Sequence, residues 1–269
     1  MNTSAQGLRV LVTAGAAGIG RAIAQMFALH GARVHICDVA QAALDACGRE
    51  HPDISRSQAD VSRVDQVDRL FADVKRELGG LDVLVNNAGI AGPTAKVEDI
   101  QPADWERCIA VDLNGMFYCT RLAMPMLKAN GRERGGSVIN LSSVAGRLGM
   151  GMRTPYSAAK WAVVGFTKSL ALEAGPDGIR VNCIQPGNVE GERINRVIEA
   201  RAKASGASLD DALKTWDMCM QVKAFVTDGA ISDEATERVR DTLLASGDLK
   251  TSAPPGAYVD RRFMSIPLK

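Results

Sequence analysis

No excess of either charge marks this chain: 32 basic residues stand against 31 acidic ones, for a net charge of +1. That balance gives no electrostatic case for nucleic acid or for an anionic membrane surface. There is also no run of about 18 apolar residues, so no membrane span is expected. Met1 to Gly7 is short and polar, without a basic stretch leading into an apolar one, and no secretory leader is expected. The six cysteines (Cys37, Cys47, Cys108, Cys119, Cys183 and Cys219) form no CxxC pair. They read as free, buried or partly buried thiols, the usage of a reducing cytoplasm. His30, His35 and His51 lack metal-ligand spacing, so no metal is expected. Internal repeats and long linkers are missing too, and one domain is expected over the whole chain.

What is present is enough apolar material for a buried sheet: 46% of 269 residues. Over residues 7–190, short β-branched runs alternate with helical patterns. Strands are expected at Arg9 to Thr13 (RVLVT), Arg33 to Cys37 (RVHIC), a short segment ending near Asp60, Leu81 to Val85 (LDVLV), Ser137 to Leu141 (SVINL) and Arg180 to Ile184 (RVNCI). Helices are expected between them: Arg21 to His30, Ala40 to Glu50, Val64 to Glu77, Pro102 to Met126 in one or two pieces, and Tyr156 to Glu173. This alternation argues for an α/β fold, a Rossmann-like doubly wound parallel sheet with helices on both faces. Right-handed crossovers then place every strand's C-terminus on one edge, where ligands bind.

The first strand runs into Thr13-Ala14-Gly15-Ala16-Ala17-Gly18-Ile19-Gly20 and then a helix. Glycines suit a turn whose backbone closely approaches a pyrophosphate, with N–H groups and the helix N-terminus facing the phosphates. Gly15, Gly18, Ile19 and Gly20 are the candidate contacts. Asp38 ends the second strand, where a carboxylate can accept hydrogen bonds from both adenosine ribose hydroxyls and would repel the 2′-phosphate of NADP. NAD is therefore the expected cofactor; the bland alternative for Asp38 is a turn-forming residue.

Taken together, these residues resemble the short-chain dehydrogenase/reductase family, whose turn reads TGxxxGxG where this chain has TAGAAGIG; Ala14 replaces the first glycine. Asn86-Asn87-Ala88-Gly89 matches the family's NNAG, and the resemblance implies cofactor contact at Asn87. It also implies that Asp60 and Val61 lie against the adenine, and that Pro186 and Gly187, with Val189 just beyond, line the nicotinamide pocket. Ser143, Tyr156 and Lys160 match the catalytic serine and the YxxxK pair. Ser142 is a competing serine, but the interval to Tyr156 favours Ser143. Where the family often has Asn, within N-x-x-G, this chain has Asp112. An Asp there still accepts hydrogen bonds, yet it adds a charge beside Lys160 and changes the family's proton relay.

The chemistry follows from residue types. An isolated phenol is a poor source of base at neutral pH. A nearby ammonium and a positive nicotinamide ring both favour phenolate. Tyr and Lys at i and i+4 share one helix face. Tyr156 is then expected to exchange a proton with an alcohol or carbonyl oxygen, which Ser143 hydrogen-bonds. Lys160 is expected, by resemblance, to bond the nicotinamide ribose as well. The expected function is NAD-dependent interconversion of a secondary alcohol and a ketone. The rivals are a catalytically weak NAD-binding regulatory or scaffold protein, and an epimerase or dehydratase on the same fold.

A substrate lid is expected over 188–216, where Glu190, Glu192, Arg193 and Arg196 mark either a polar substrate or, more commonly, a solvated helix face. Residues 217–269 do not match the family's usual ending. Asp228-Gly229 lacks a convincing strand before it, and Asp233 to Ser246 reads as an amphipathic helix. This end is either divergent or frame-shifted. Cytoplasmic location, a small-molecule alcohol or carbonyl substrate, and a homo-oligomer (dimer or tetramer) complete the expectations.

Overall fold

In the computed structural model, residues 5–187, 189, 192–206 and 208–211 are described. The chain divides at Gly191/Glu192 into two compact units. The first is built on six strands: β1 (Arg9–Thr13), β2 (Arg33–Asp38), β3 (Ser55–Gln58), β4 (Val83–Asn86), β5 (Gly136–Leu141) and β6 (Ile179–Ile184). All pair in parallel, in the order β3-β2-β1-β4-β5-β6. The order reverses between β1 and β4, the place where a doubly wound sheet opens a crevice at its carboxyl edge.

Helices α1 (Gly18–Leu29), α2 (Gln41–Glu50), α3 (Val64–Leu78), α4 (Pro102–Ile109), α5 (Gly115–Lys128) and α6 (Thr154–Ala174) cover the sheet. Because strand side chains alternate, each face has its own core. On one face Leu11, Leu84 and Val138 pack with Val67 and Leu70 of α3, Leu127 of α5 and Leu170 of α6. On the other, Val10, Val12, Ile36 and Val85 pack with Ala24 of α1 and Leu44 of α2. The second unit contains α7 (Glu192–Ser205), whose Glu192 and Arg196 form an exposed i, i+4 pair at 2.9 Å, as a solvated helix face does.

Several boundaries differ from the sequence expectation for local reasons. α1 starts at Gly18, so the last glycines of the turn already belong to the helix. β4 starts at Val83, because Asp82 is held at the opposite edge of the sheet by other partners. Its carboxylate accepts from Arg9 N and Nε at 2.9 and 2.8 Å and from Arg134 Nε at 2.9 Å. Burial pushes the Asp82 carboxyl up, but these partners outweigh it and hold it well below the usual carboxylate range. The expected helix over 102–126 is α4 and α5 joined by a π-helical turn, Ala110–Asn114.

Four of the five described cysteines are buried, and all five are free thiols. Burial pushes Cys37 up to about 12, so it remains an inert thiol. No helix among the described residues is long and apolar enough to cross a membrane. The expected segment 217–269, with Cys219, Asp228-Gly229 and the helix Asp233 to Ser246, lies outside the described residues, as does part of the expected lid.

Candidate active site

The turn from β1 into α1 sits at the carboxyl edge of the sheet. Ala14 has φ +48°, the left-handed region that favours glycine. The replaced glycine therefore had a conformational reason, and the alanine adopts the same backbone with strain. Gly20 cannot be replaced without collision, since a Cβ there would overlap the Ala14 carbonyl. Gly15 N–H donates to Cys37 O at 3.0 Å, tying the turn to β2. α1 begins with no side-chain cap and no acidic residue in its first turn. Its first N–H groups, from Gly18, Ile19 and Gly20, are thus available to an anion. Both ends of the Asp38 carboxylate are oriented by backbone: Ala16 N–H donates to Oδ2 at 3.3 Å and Ala40 N–H to Oδ1 at 3.1 Å.

Asn87 braces this turn. Its Nδ2 donates to Thr13 O at 2.9 Å and Ala14 O at 3.1 Å, while its N–H donates to Thr13 Oγ1 at 2.9 Å. Asp60 accepts from Ser62 N–H and hydroxyl at 2.9 and 2.7 Å. Val61 is buried in the core, and a cavity of about 440 Å³ lined by Val39, Gln58, Asp60, Gln66 and Arg69 opens nearby. Pro186 O accepts Val144 N–H at 3.0 Å, which lashes the end of β6 to the Ser143 loop. Ile19 and Val189 are partly solvent-exposed, and Gly187 is exposed.

Tyr156 and Lys160 stand on one face of α6, with the Lys160 Nζ 5.6 Å from the Tyr156 ring centroid. Lys160 is almost fully buried. Its ammonium donates to Leu141 O at 3.1 Å and faces Asp112 Oδ2 at 3.4 Å. Asp112, on the π-helical turn, is fully buried and accepts Ile90 N–H on Oδ1 at 2.7 Å. The aspartate thus divides its oxygens between a backbone hydrogen bond on Oδ1 and an ion pair on Oδ2. Gly89 lies directly over this pair: a Cβ would sit 3.2 Å from Lys160 Nζ and 3.3 Å from Asp112 Oδ2.

The two serines separate by their bonds. Ser142 donates its hydroxyl to Lys160 O at 2.8 Å and so anchors α6. Ser143 Oγ accepts Ala145 N–H at 3.2 Å and keeps its own proton for another acceptor.

Two features were not foreseen from sequence. A buried polar chain crosses the sheet: Asn86 Nδ2 donates to Thr120 Oγ1 and Asn140 Oδ1, and Asn140 Nδ2 donates to Thr167 Oγ1, at 2.8–3.0 Å. The signal was available, because Asn140 is a polar residue inside an apolar strand. The second is Arg153, buried at the N-cap of α6 beside Tyr156.

The "short chain dehydrogenase" family model matches residues 9–202. The chain is 34% identical over 250 residues to D-beta-hydroxybutyrate dehydrogenase of Cupriavidus necator, covering 88% of this chain and 95% of that one. It is 40% identical over 189 residues to L-fucose dehydrogenase of Bos taurus, covering 70% of this chain and 68% of the relative. The crystal structure of 3-ketoacyl-(acyl-carrier-protein) reductase from Brucella melitensis complexed with NADH superposes with a TM-score of 0.66. It is 31% identical and covers 68% of this chain and 77% of that one. On sequence and fold alike, this chain belongs to the short-chain dehydrogenase/reductase family.

Proposed function

We propose that the protein is an NAD(H)-dependent oxidoreductase that interconverts a secondary alcohol and a ketone. The observation that carries this reading is the buried Lys160, which donates to Leu141 O at the end of β5 and has both the Tyr156 ring and the Asp112 carboxylate within reach, with Ser143 two residues past that strand end. This group lies on the same edge as a helix N-terminus that neither cap nor acidic residue occupies.

The turn fits a dinucleotide. The uncapped N–H groups of α1 suit the pyrophosphate, and the Asp38 carboxylate suits the two ribose hydroxyls and disfavours a 2′-phosphate. Asp60, Val61 and the cavity beside them would take the adenine; Pro186, Gly187 and Val189 would line the nicotinamide end. Asn87 acts chiefly by shaping the turn, since both its amide hydrogens go to Thr13 and Ala14. When bound, the nicotinamide supplies the hydride acceptor or donor.

The protein's own groups handle the proton. Tyr156 gives its phenolic proton to the carbonyl oxygen in reduction and recovers it in oxidation. The Lys160 ammonium stabilises the phenolate as it forms, and it bonds the nicotinamide ribose. Ser143 donates its unshared proton to the substrate oxygen. Asp112 fixes Lys160 against Gly89 and Ile90, a charged version of the position at which the family often has asparagine. The relatives are named for a sugar and for a hydroxy acid, both small polar CH–OH compounds, so such alcohols are the first substrates to screen. Trp105, Phe117, Trp161 and Leu172 are exposed on α4, α5 and α6, which supports these helices as a self-association surface.

The test pairs cofactor titration with Tyr156→Phe. NADH is expected to bind more tightly than NADPH. Tyr156→Phe is expected to lower alcohol oxidation by at least about a hundredfold while binding NADH normally. Undiminished oxidation by that variant would overturn the assignment.

A further inference from the structure

Arg153 is the charged side chain nearest the Tyr156 ring that the family motif does not include. It caps α6 at three residues before Tyr156, as Lys160 follows at four residues after, so all three share one helix face. Its guanidinium carbon lies 4.9 Å from the Tyr156 ring centroid, closer than the 5.6 Å of Lys160 Nζ. That is within cation–π range. Only 9% of the residue is solvent-accessible, so water screens the contact little.

The backbone is strained to put it there. Met152, immediately before, has φ +64°, a left-handed conformation that a side chain of this size rarely adopts. Two bonds hold the arrangement against the loop after β4: Ala95 N–H donates to Met152 O at 3.1 Å, and Arg153 Nη2 donates to Ala91 O at 2.7 Å. The same loop carries Ile90, whose N–H binds Asp112. Arg153 therefore links the loop that orients the buried ion pair to the face of the phenol that exchanges the proton.

We propose that Arg153 is a positioning residue for Tyr156. Its guanidinium over the ring fixes the ring's position, and its charge stabilises the electron-rich ring that forms as the phenol gives up its proton during ketone reduction. This rests on the reading of Tyr156 as proton donor. A cation that acts as negative charge develops affects turnover more than ground-state binding.

The experiment is steady-state ketone reduction with NADH, using a ketone turned over by the native protein, with NADH affinity measured separately. Arg153→Gln retains a donor for Ala91 O without the charge; Arg153→Lys retains the charge without the planar fork. Arg153→Gln is expected to lower kcat on the order of tenfold, with the NADH Kd within about twofold of native. Arg153→Lys is expected to recover a clear part of that loss. Native kcat in Arg153→Gln, or Arg153→Lys no faster than Arg153→Gln, overturns the proposal. Should Arg153→Gln fail to bind NADH, Arg153→Lys against Arg153→Met gives the same comparison of charge with no charge. Tyr156→Phe separates the two readings. If it is inactive while Arg153→Gln is native-like, only the role of Arg153 falls; if it is fully active, the proton-donor reading falls first.

Discussion

Replacing Asp112 by asparagine removes one charge and one acceptor from a place with no access to water. In the native protein Asp112 Oδ1 takes the Ile90 N–H and Oδ2 faces the Lys160 ammonium at 3.4 Å, with side-chain exposures of 0% for Asp112 and 4% for Lys160. At an effective dielectric near 20, that separation corresponds to a gross attraction of about 5 kcal/mol, much of it offset by the desolvation of both ions. Asparagine has a single side-chain oxygen. If it serves Ile90, its NH2 confronts the ammonium; if it serves Lys160, its NH2 confronts the Ile90 N–H. Either way the buried ammonium loses its counter-charge, and it keeps only Leu141 O among the bonds described above. The net loss is about 3 kcal/mol. For a chain of this length that lowers Tm by roughly 6–12 °C. Thermal melting followed by circular dichroism measures it, and alcohol oxidation across pH shows whether Lys160 still supports Tyr156. A melting temperature within about a degree of native, together with an unchanged rate and pH profile, would refute both the ion-pair reasoning and the part given to Asp112.

Two other outcomes follow from the fold. His35 is buried between Ser55 and Ser57, whose hydroxyls lie 2.8 and 3.0 Å from its ring nitrogens, and burial lowers it to about 4 despite the nearby Asp73 and Glu77. The unfolded chain takes up a proton below about pH 6.5 and the folded one does not until pH 4, so stability falls by roughly 3 kcal/mol across that window and flattens below it. Urea unfolding from pH 7.5 to 4 should show this slope, less steep in His35→Gln; equal slopes would place the buried charge elsewhere. Ala14→Gly removes the penalty of φ +48° but loosens the unfolded chain, for a net gain of about 0.5–1 kcal/mol. A lower urea midpoint in that variant would show that the turn tolerates alanine without strain.

The strands' positions along the chain, and the position of Tyr156, Lys160, Asp38 and the glycine turn relative to them, were legible because each depends on local pattern. β-branched runs give the strands, period 3.6 gives the helices, and the chemistry-bearing residues follow strand ends. The sequence also showed that Ala14 and Asp112 depart from the family. It did not show what each departure does, because φ at Ala14 and the second partner at Asp112 are set by chain tens of residues away. The Asn86–Asn140–Thr167 chain escaped for a similar reason: Asn140 stands out as a polar residue in an apolar strand, but its partners are not apparent until β4, β5 and α6 are adjacent. Arg153 lies outside every motif that the sequence presents. Its place over the Tyr156 ring follows a left-handed Met152, and nothing in Gly151-Met152-Arg153 announces that conformation.

The π-helical turn at Ala110–Asn114 has a consequence for how this protein can change. Such a turn holds one residue more than an α-helical turn would, and each residue in a helix advances the face by about 100°. Deleting one residue beside Asp112 in the 110–114 segment would let α4 and α5 merge into a regular helix whose faces outside the turn keep their phase. The merged helix would keep the buried Leu127 and Cys119 on the sheet and fail within the turn, where the Asp112 carboxylate would swing away from Lys160. Substitutions along this rod are graded in their effect, whereas a single-codon deletion is all or nothing. This segment should therefore vary freely in composition on its outer side while its residue count stays fixed.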